Sequence, residues 1–167
     1  MNIQLCEPKD LDRMLEVYEE AIAFQKTRSP FSWHRFEAAS LTEEIRRKEL
    51  YKVLINKQTG CVFRMLLNDP AIWKEKDAVP SVYLHRISVG DGFHGLGIMH
   101  AILEWAKRYC KTHHRMYVRI DTWGLNKKLT DYYKALGFSF VETREVRPEG
   151  GLEPYYNGVL SMFQLKV

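Results

Sequence analysis

The residues best equipped for chemistry gather near the middle of the chain. Gly90-Asp91-Gly92-Phe93-His94-Gly95, then Leu96 and Gly97, lie between an apolar stretch ending at Val89 and a helical pattern beginning at Ile98. A glycine run at a helix start is an anion site. The first N–H groups of a helix have no partner within it, the dipole is positive there, and glycine admits a phosphate with no Cβ in the way. Downstream, Asn126 and Tyr133 are nearly two helical turns apart, so one helix face carries an amide and a phenol. His85, on the stretch before the glycines, is of the side-chain type that titrates near neutrality.

The elements that must position these groups follow from the hydrophobic pattern. A strand is expected over residues 2–6, then a helix over 10–23 with Asp10 as N-cap and Leu11, Met14, Leu15, Tyr18 and Ile22 on one side. Residues 26–36 read as an aromatic loop with Phe31 and Trp33, and Ser40 or Thr42 is expected to cap a helix ending at Glu49. Strands over 51–56 and 61–67 make a hairpin, residues 68–80 a polar loop, and residues 81–89 a further strand. The helix over 98–111 has one narrow polar stripe, His100, Glu104, Lys107, Arg108 and Lys111, so its other faces are expected to be buried against a sheet. A strand over 115–121 completes a β–loop–α–β unit with a parallel, right-handed crossover. A helix over 126–136, closed by Gly137, and strands over 138–146 and 158–167 finish the chain. The fold class is α+β: a mixed, mainly antiparallel sheet flanked by helices.

Composition narrows the class of protein. The chain has 167 residues, 46% hydrophobic, 28% charged and 13% aromatic, which suits one domain with a full core and excludes intrinsic disorder. We therefore expect a single domain over residues 1–167. No apolar run approaches the roughly 20 residues of a membrane span. Cys6, Cys61 and Cys110 are too few for a disulfide framework and, with a start unlike a signal peptide, suggest a cytoplasmic protein. The net charge of +4 suits a small anionic ligand, and no nucleic-acid motif accompanies it.

Two readings compete for the glycine run. As a dinucleotide-binding G-x-G-x-x-G it lacks the acidic residue about 20 positions on, since Asp121 stands too far downstream, and the repeated βαβ units are missing. The second reading is a resemblance. Residues 81–140 resemble the GNAT superfamily of N-acetyltransferases, whose acetyl-CoA motif reads Val-x-x-x-x-(Arg/Gln)-x-x-Gly-x-(Gly/Ala) and enters a helix with paired aliphatics. Val89, His94, Gly97 and Met99 then take the four motif positions and Ile102-Leu103 the aliphatic pair. His94 and Met99 depart from the pattern. A competing register through Gly92, Gly95 and Gly97 restores the glycines but moves the valine to Ile87 and puts His100 at an aliphatic position. Asn126, Tyr133 and Gly137-Phe138 resemble the family's later Asn-x(6)-Tyr-x-x-x-Gly-Phe pattern.

The resemblance implies a GNAT-like fold with splayed central strands and acetyl-CoA as co-substrate between them. Ile87 and Val89 would pair with the pantetheine through their backbone; His94, Gly95, Leu96, Gly97, Ile98 and Met99 would line the phosphate site, with a core methionine facing the sheet as the alternative for Met99; Asn126 would lie near the thioester. Lys107, Arg108, Lys111, Lys127 and Lys128 could reach the nucleotide 3′-phosphate, although most of them are expected to form a solvated face with at most one true contact. Tyr133 matches the tyrosine that protonates the leaving thiolate. Phenol and thiol reference values of about 10 and 8.5 make full transfer uphill by about 2 kcal/mol, so Tyr133 is a hydrogen-bond donor first. Its bland alternative is a packed tyrosine.

The acceptor, a primary amine of a small molecule or peptide, would attack directly in a ternary complex. Freeing its lone pair at neutral pH costs about 4–5 kcal/mol, so a base is expected. His85 is the first candidate, with a structural histidine as its alternative and Asp121, Glu153 and His34 behind it. Phe31, Trp33, Trp73, Tyr155 and Tyr156 are expected in loops around the acceptor. The rival function is an acyl-CoA-binding regulatory module with weak or no turnover. Whether the chain forms a homodimer is left open; neither a metal nor a membrane enters the reading.

Overall fold

The computed structural model describes residues 1–27, 32–124, 126–148 and 157–167. Its elements are β1 (Asn2–Leu5), α1 (Leu11–Lys26), α2 (Ala38–Arg46), β2 (Leu50–Ile55), β3 (Gln58–Leu66), α3 (Pro70–Trp73), β4 (Ser81–Val89), α4 (Ile98–Thr112), β5 (Tyr117–Trp123), α5 (Lys127–Ala135), β6 (Ser139–Val146) and β7 (Gly158–Lys166). The strands are ordered β1-β2-β3-β4-β5-β7-β6 in a seven-stranded sheet. The β1–β2, β2–β3, β5–β7 and β6–β7 pairs are antiparallel, and β4–β5 is parallel. This is the α+β class the hydrophobic pattern implies. Two compact units divide the chain, residues 1–65 with 86–102 and residues 66–85 with 103–167, so β4 and α4 each contribute to both. No helix among the described residues is long and apolar enough to cross a membrane.

In the first unit, α1 buries Met14, Val17, Tyr18, Ala21 and Ile22, one stripe at helical spacing. Asp10 stands at its N-cap position, yet the carboxylate is engaged elsewhere. It accepts the Glu7 N–H at 2.7 Å and the Lys52 ammonium at 2.6 and 2.7 Å, so no side chain caps the helix. Helix α2 departs from expectation at both ends. Glu37 holds its N-cap position, Thr42 Oγ1 instead donates to the Ala38 carbonyl at 2.8 Å, and the helix stops at Arg46, short of Glu49. The β2–β3 hairpin turns on two residues, Asn56 and Lys57, at φ 50° and 67°. That pair of left-handed residues matches the strand twist, and it lets β3 begin at Gln58, inside the expected connection 57–60.

In the second unit, the expected polar loop 68–80 is instead α3 followed by a 3-10 turn over Lys74–Ala78. Ile72 and Trp73 are buried and pack with Tyr83, Val146, Leu160 and Met162. Trp73 therefore lines no acceptor cleft, a correction to its expected place in an open loop. Surrounding charges hid two large apolar residues, and tertiary contacts bind the segment down. Asp77 Oδ1 accepts the Tyr83 hydroxyl at 2.5 Å and the Asp69 N–H at 2.8 Å. The Arg119 guanidinium donates to the Lys76 carbonyl at 2.7 Å and lies 4.6 Å from the Trp73 ring. Asp69 is held in place by this network.

Candidate active site

The glycine loop belongs to the first unit. Gly92, Gly95 and Gly97 have φ of 82°, 79° and 73°, and a Cβ on any of them would meet nothing within 4 Å. These glycines are required by the left-handed backbone, not by crowding, and the space beside the loop is open. The Ala101 N–H donates to the Gly97 carbonyl at 3.1 Å, so α4 winds directly out of the loop. Its earliest N–H groups are the unpaired donors of a helix start. His94 is exposed and its ring stacks on Phe24, centroids 4.8 Å apart and planes at 24°. Leu96 is exposed, Ile98 is buried and Met99 is intermediate. Upstream, Ile87 and Val89 are half-buried and alternate with buried Ser88.

Arg86 adopts φ 50° inside β4, a left-handed conformation costing about 1–3 kcal/mol for a residue with a Cβ. Its guanidinium donates to Glu44 Oε2 at 2.5 Å and lies 4.9 Å from the Phe36 ring, and these contacts help to hold the strained backbone. The β4–β5 ladder ends at Leu84↔Ile120, immediately before His85, while β5 continues to Trp123.

The second unit gathers a different set of groups. His85 Nε2 lies 3.2 Å from Asp69 Oδ2 and His85 Nδ1 lies 3.2 Å from Asp121 Oδ1. All three side chains are more than nine-tenths buried. The contacts are ion-pair distances without hydrogen-bond alignment. Burial alone would lower the imidazole pKa; the Asp121 and Asp69 carboxylates outweigh it and push the value up to about 9. His85 is therefore an imidazolium at neutral pH, with no lone pair to offer an amine's proton. The ligand atoms of Asp69, His85 and Asp121 lie within 4.8 Å of one another, close enough for a metal ion. The carboxylates nevertheless flank opposite ring nitrogens, an arrangement suited to an ion-paired imidazolium rather than to a chelate. Sequence reasoning missed Asp69, whose only local signal is its position before Pro70, the first residue of α3.

Tyr133 is half-buried on α5, with its ring 5.2 Å from Phe163 and 5.9 Å from Phe138. Burial, reinforced by the Asp121 charge, raises its phenol above the usual range, which keeps the proton on the oxygen. Asn126 Oδ1 accepts the Leu129 N–H at 3.2 Å and caps α5. Trp33 donates its backbone N–H to Gln25 Oε1 at 3.0 Å. Phe31, Glu153, Tyr155 and Tyr156 lie outside the described residues.

Residues 16–138 match the family model described as acetyltransferase (GNAT) family, a span running from within α1 to the residue before β6. The chain belongs to the GNAT acetyltransferase family. An uncharacterized N-acetyltransferase of Bacillus subtilis (strain 168), YesJ, is 27% identical to it over 73 residues, 44% of this chain and 41% of the relative. The aligned segment thus spans less than half the length of that relative. Among solved structures, a GNAT-family acetyltransferase from Listeria monocytogenes 4b F2365 shares the fold with a TM-score of 0.78 at 16% identity, covering 99% of this chain and 94% of that one. The PaiA N-acetyltransferase from Thermoplasma acidophilum, solved in complex with coenzyme A, gives a TM-score of 0.72 at 13% identity, covering 99% and 98%. At these identities the GNAT likeness is one of fold.

Proposed function

We propose that this GNAT chain is an N-acetyltransferase that moves the acetyl group of acetyl-CoA to a primary amine. The observation that carries the reading is the loop. Three left-handed glycines with open space beside them lead into a helix N-terminus, a backbone geometry suited to the diphosphate of a coenzyme. His94 adds a ring donor, and Ile87 and Val89 offer the backbone along which the pantetheine would run. Coenzyme A in the Thermoplasma neighbour accords with this assignment.

In the proposed reaction the amine nitrogen attacks the thioester carbonyl carbon, the C–S bond breaks, and the thiolate accepts a hydrogen bond or a proton from Tyr133. The raised phenol suits donation of a hydrogen bond more than complete transfer. The amine must first lose a proton. Since His85 already carries one at neutral pH, we assign proton acceptance to Asp121, with the imidazolium and Asp69 fixing the position of that carboxylate. Cys6, Cys61 and Cys110 are free and buried, in keeping with a reducing cytoplasm as the compartment.

The test has two stages. Acetyl-CoA at a hundred times its Kd should stabilise the protein by about 2.7 kcal/mol, read as a rise in Tm, whereas NAD should leave Tm unchanged. A panel of primary amines assayed for free CoA then tests turnover and acceptor together. Binding without CoA release from any amine would favour the non-catalytic acyl-CoA-binding module.

A further inference from the structure

One glycine of the loop obeys a different rule from the others. Gly90 does not have the left-handed φ of Gly92, Gly95 and Gly97. A Cβ on it would come within 2.9 Å of Glu20 Oε2, 3.0 Å of Arg13 Nη2 and 3.5 Å of Val17 Cγ2. Gly90 is thus glycine because α1 presses against it. Arg13, Val17, Glu20 and Phe24 fall at helical spacing along one face of α1. The first three meet the beginning of the loop, and Phe24 stacks on His94 further along.

The contact at Gly90 has directed chemistry. Glu20 Oε2 accepts the Asp91 N–H at 2.7 Å, and Glu20 Oε1 accepts from Arg13 Nη1 at 2.9 Å. On the other side, the Gly90 N–H donates to the Gly60 carbonyl at 2.9 Å, and the Phe93 ring occupies the place of a Gly60 Cβ, with atoms at 2.6 and 2.8 Å. The loop is therefore clamped at its start between α1 and β3. The carboxylate takes up the first exposed N–H, and the Arg13 guanidinium, which also pairs with Glu16 at 3.0 Å, fixes its position and offsets part of its charge.

We propose that Glu20, held by Arg13, is the latch that pre-organises the glycine loop for its anionic ligand, and that the first glycine of the motif serves this latch rather than the ligand. Glu20 and Arg13 are positioning residues. They act through the Asp91 N–H; the Phe93 N–H closes a turn onto the Gly90 carbonyl at 3.1 Å, and the proposal assigns the N–H groups of Gly92 and of residues 94–97 to phosphate. The inference rests on the reading of the loop as a coenzyme site.

The test uses the full chain with acetyl-CoA as probe. Glu20→Ala should weaken acetyl-CoA binding about tenfold by calorimetry and raise its KM in parallel, with kcat at saturation within about twofold, the scale of one charge-assisted hydrogen bond. Glu20→Gln keeps an acceptor oxygen and should stay within about threefold of the native protein. Gly90→Ala pushes aside only the ends of two flexible side chains, so the fold should survive while the latch is displaced. Its effect on Kd should then largely vanish in the Glu20→Ala background, a non-additivity expected only if both changes act on one contact. Amide exchange at residues 91–97 of the free protein should quicken in Glu20→Ala. Additive effects of Gly90→Ala and Glu20→Ala, or quicker exchange with an unchanged Kd, would overturn the latch while leaving the coenzyme site standing. A native protein that binds no acetyl-CoA would overturn the coenzyme site itself.

Discussion

The glycine loop of the first unit and the Asp69–His85–Asp121 cluster of the second are built on opposite principles. The loop is exposed, made of consecutive residues, and presents backbone N–H groups whose directions are set by φ. The cluster is buried, drawn from three distant segments, and acts through side-chain charge. A backbone site restricts residue type directly, because glycine tolerates φ near +75° with little cost where other residues are strained. A side-chain site imposes no local rule, so His85 reads the same in sequence whether it faces two carboxylates or none. The two regions should accordingly fail in different ways when altered.

The cluster should give the largest loss. His85→Ala removes the cation between Asp69 and Asp121 and leaves two buried carboxylates without compensation, at an expected cost of about 3–5 kcal/mol in denaturant unfolding. His85→Ala together with Asp69→Asn should recover part of it. The same imidazolium sets a pH signature. Its folded pKa, about 9, exceeds the unfolded value of 6.5, so its stabilising contribution is complete below pH 6.5 and is lost as pH rises through 9. Unfolding free energies measured across that window should decline for the native protein and lose that decline in His85 variants. A flat native profile would mean that His85 is neutral in the fold.

Tyr133→Phe should affect chemistry while sparing the fold. We expect kcat to fall about 10- to 100-fold with the Kd of acetyl-CoA unchanged, measured by steady-state kinetics beside calorimetry. An equal loss of binding would make Tyr133 a packing residue.

The loop should show smaller, local costs. Gly97→Ala meets no neighbour but must hold φ 73°, a strain of about 1–2 kcal/mol. Because strain is relieved by moving the loop, it should appear more in acetyl-CoA affinity than in Tm. Asn126→Ala, losing the cap of α5, should cost about 1 kcal/mol, read by chemical denaturation. A much larger effect on turnover would give Asn126 a role beyond capping.

Much of the fold was legible because its elements carry their own periodicity. The α1 stripe, the β2–β3 hairpin and the β4–loop–α4–β5 unit lie within a few residues of their expected limits. Three misreadings come from a side chain claimed by an unforeseen partner, distant in two cases and within the same helix in the other. Asp10 looks like a cap but binds Lys52; Thr42 looks like a cap but bonds within its helix; Trp73 stands among charges but is drawn into a core by Tyr83 and Leu160. For the candidate site, the loop glycines and Tyr133 could be proposed in advance from residue type and spacing. Asp69 and Glu20 could not, since one reaches His85 across 16 residues of chain and the other reaches Asp91 across 71.

The sequence by itself determined the order of the strands and longer helices, the glycine loop between β4 and α4 and the family resemblance, because backbone conformation and periodic burial are written locally in residue type. Tertiary structure alone decided that His85 stands between two carboxylates and carries a proton, that Gly90 makes room for Glu20, and that Trp73 belongs to a core. Charge state and close approach depend on what lies within a few ångströms in space, and sequence separation does not report that distance.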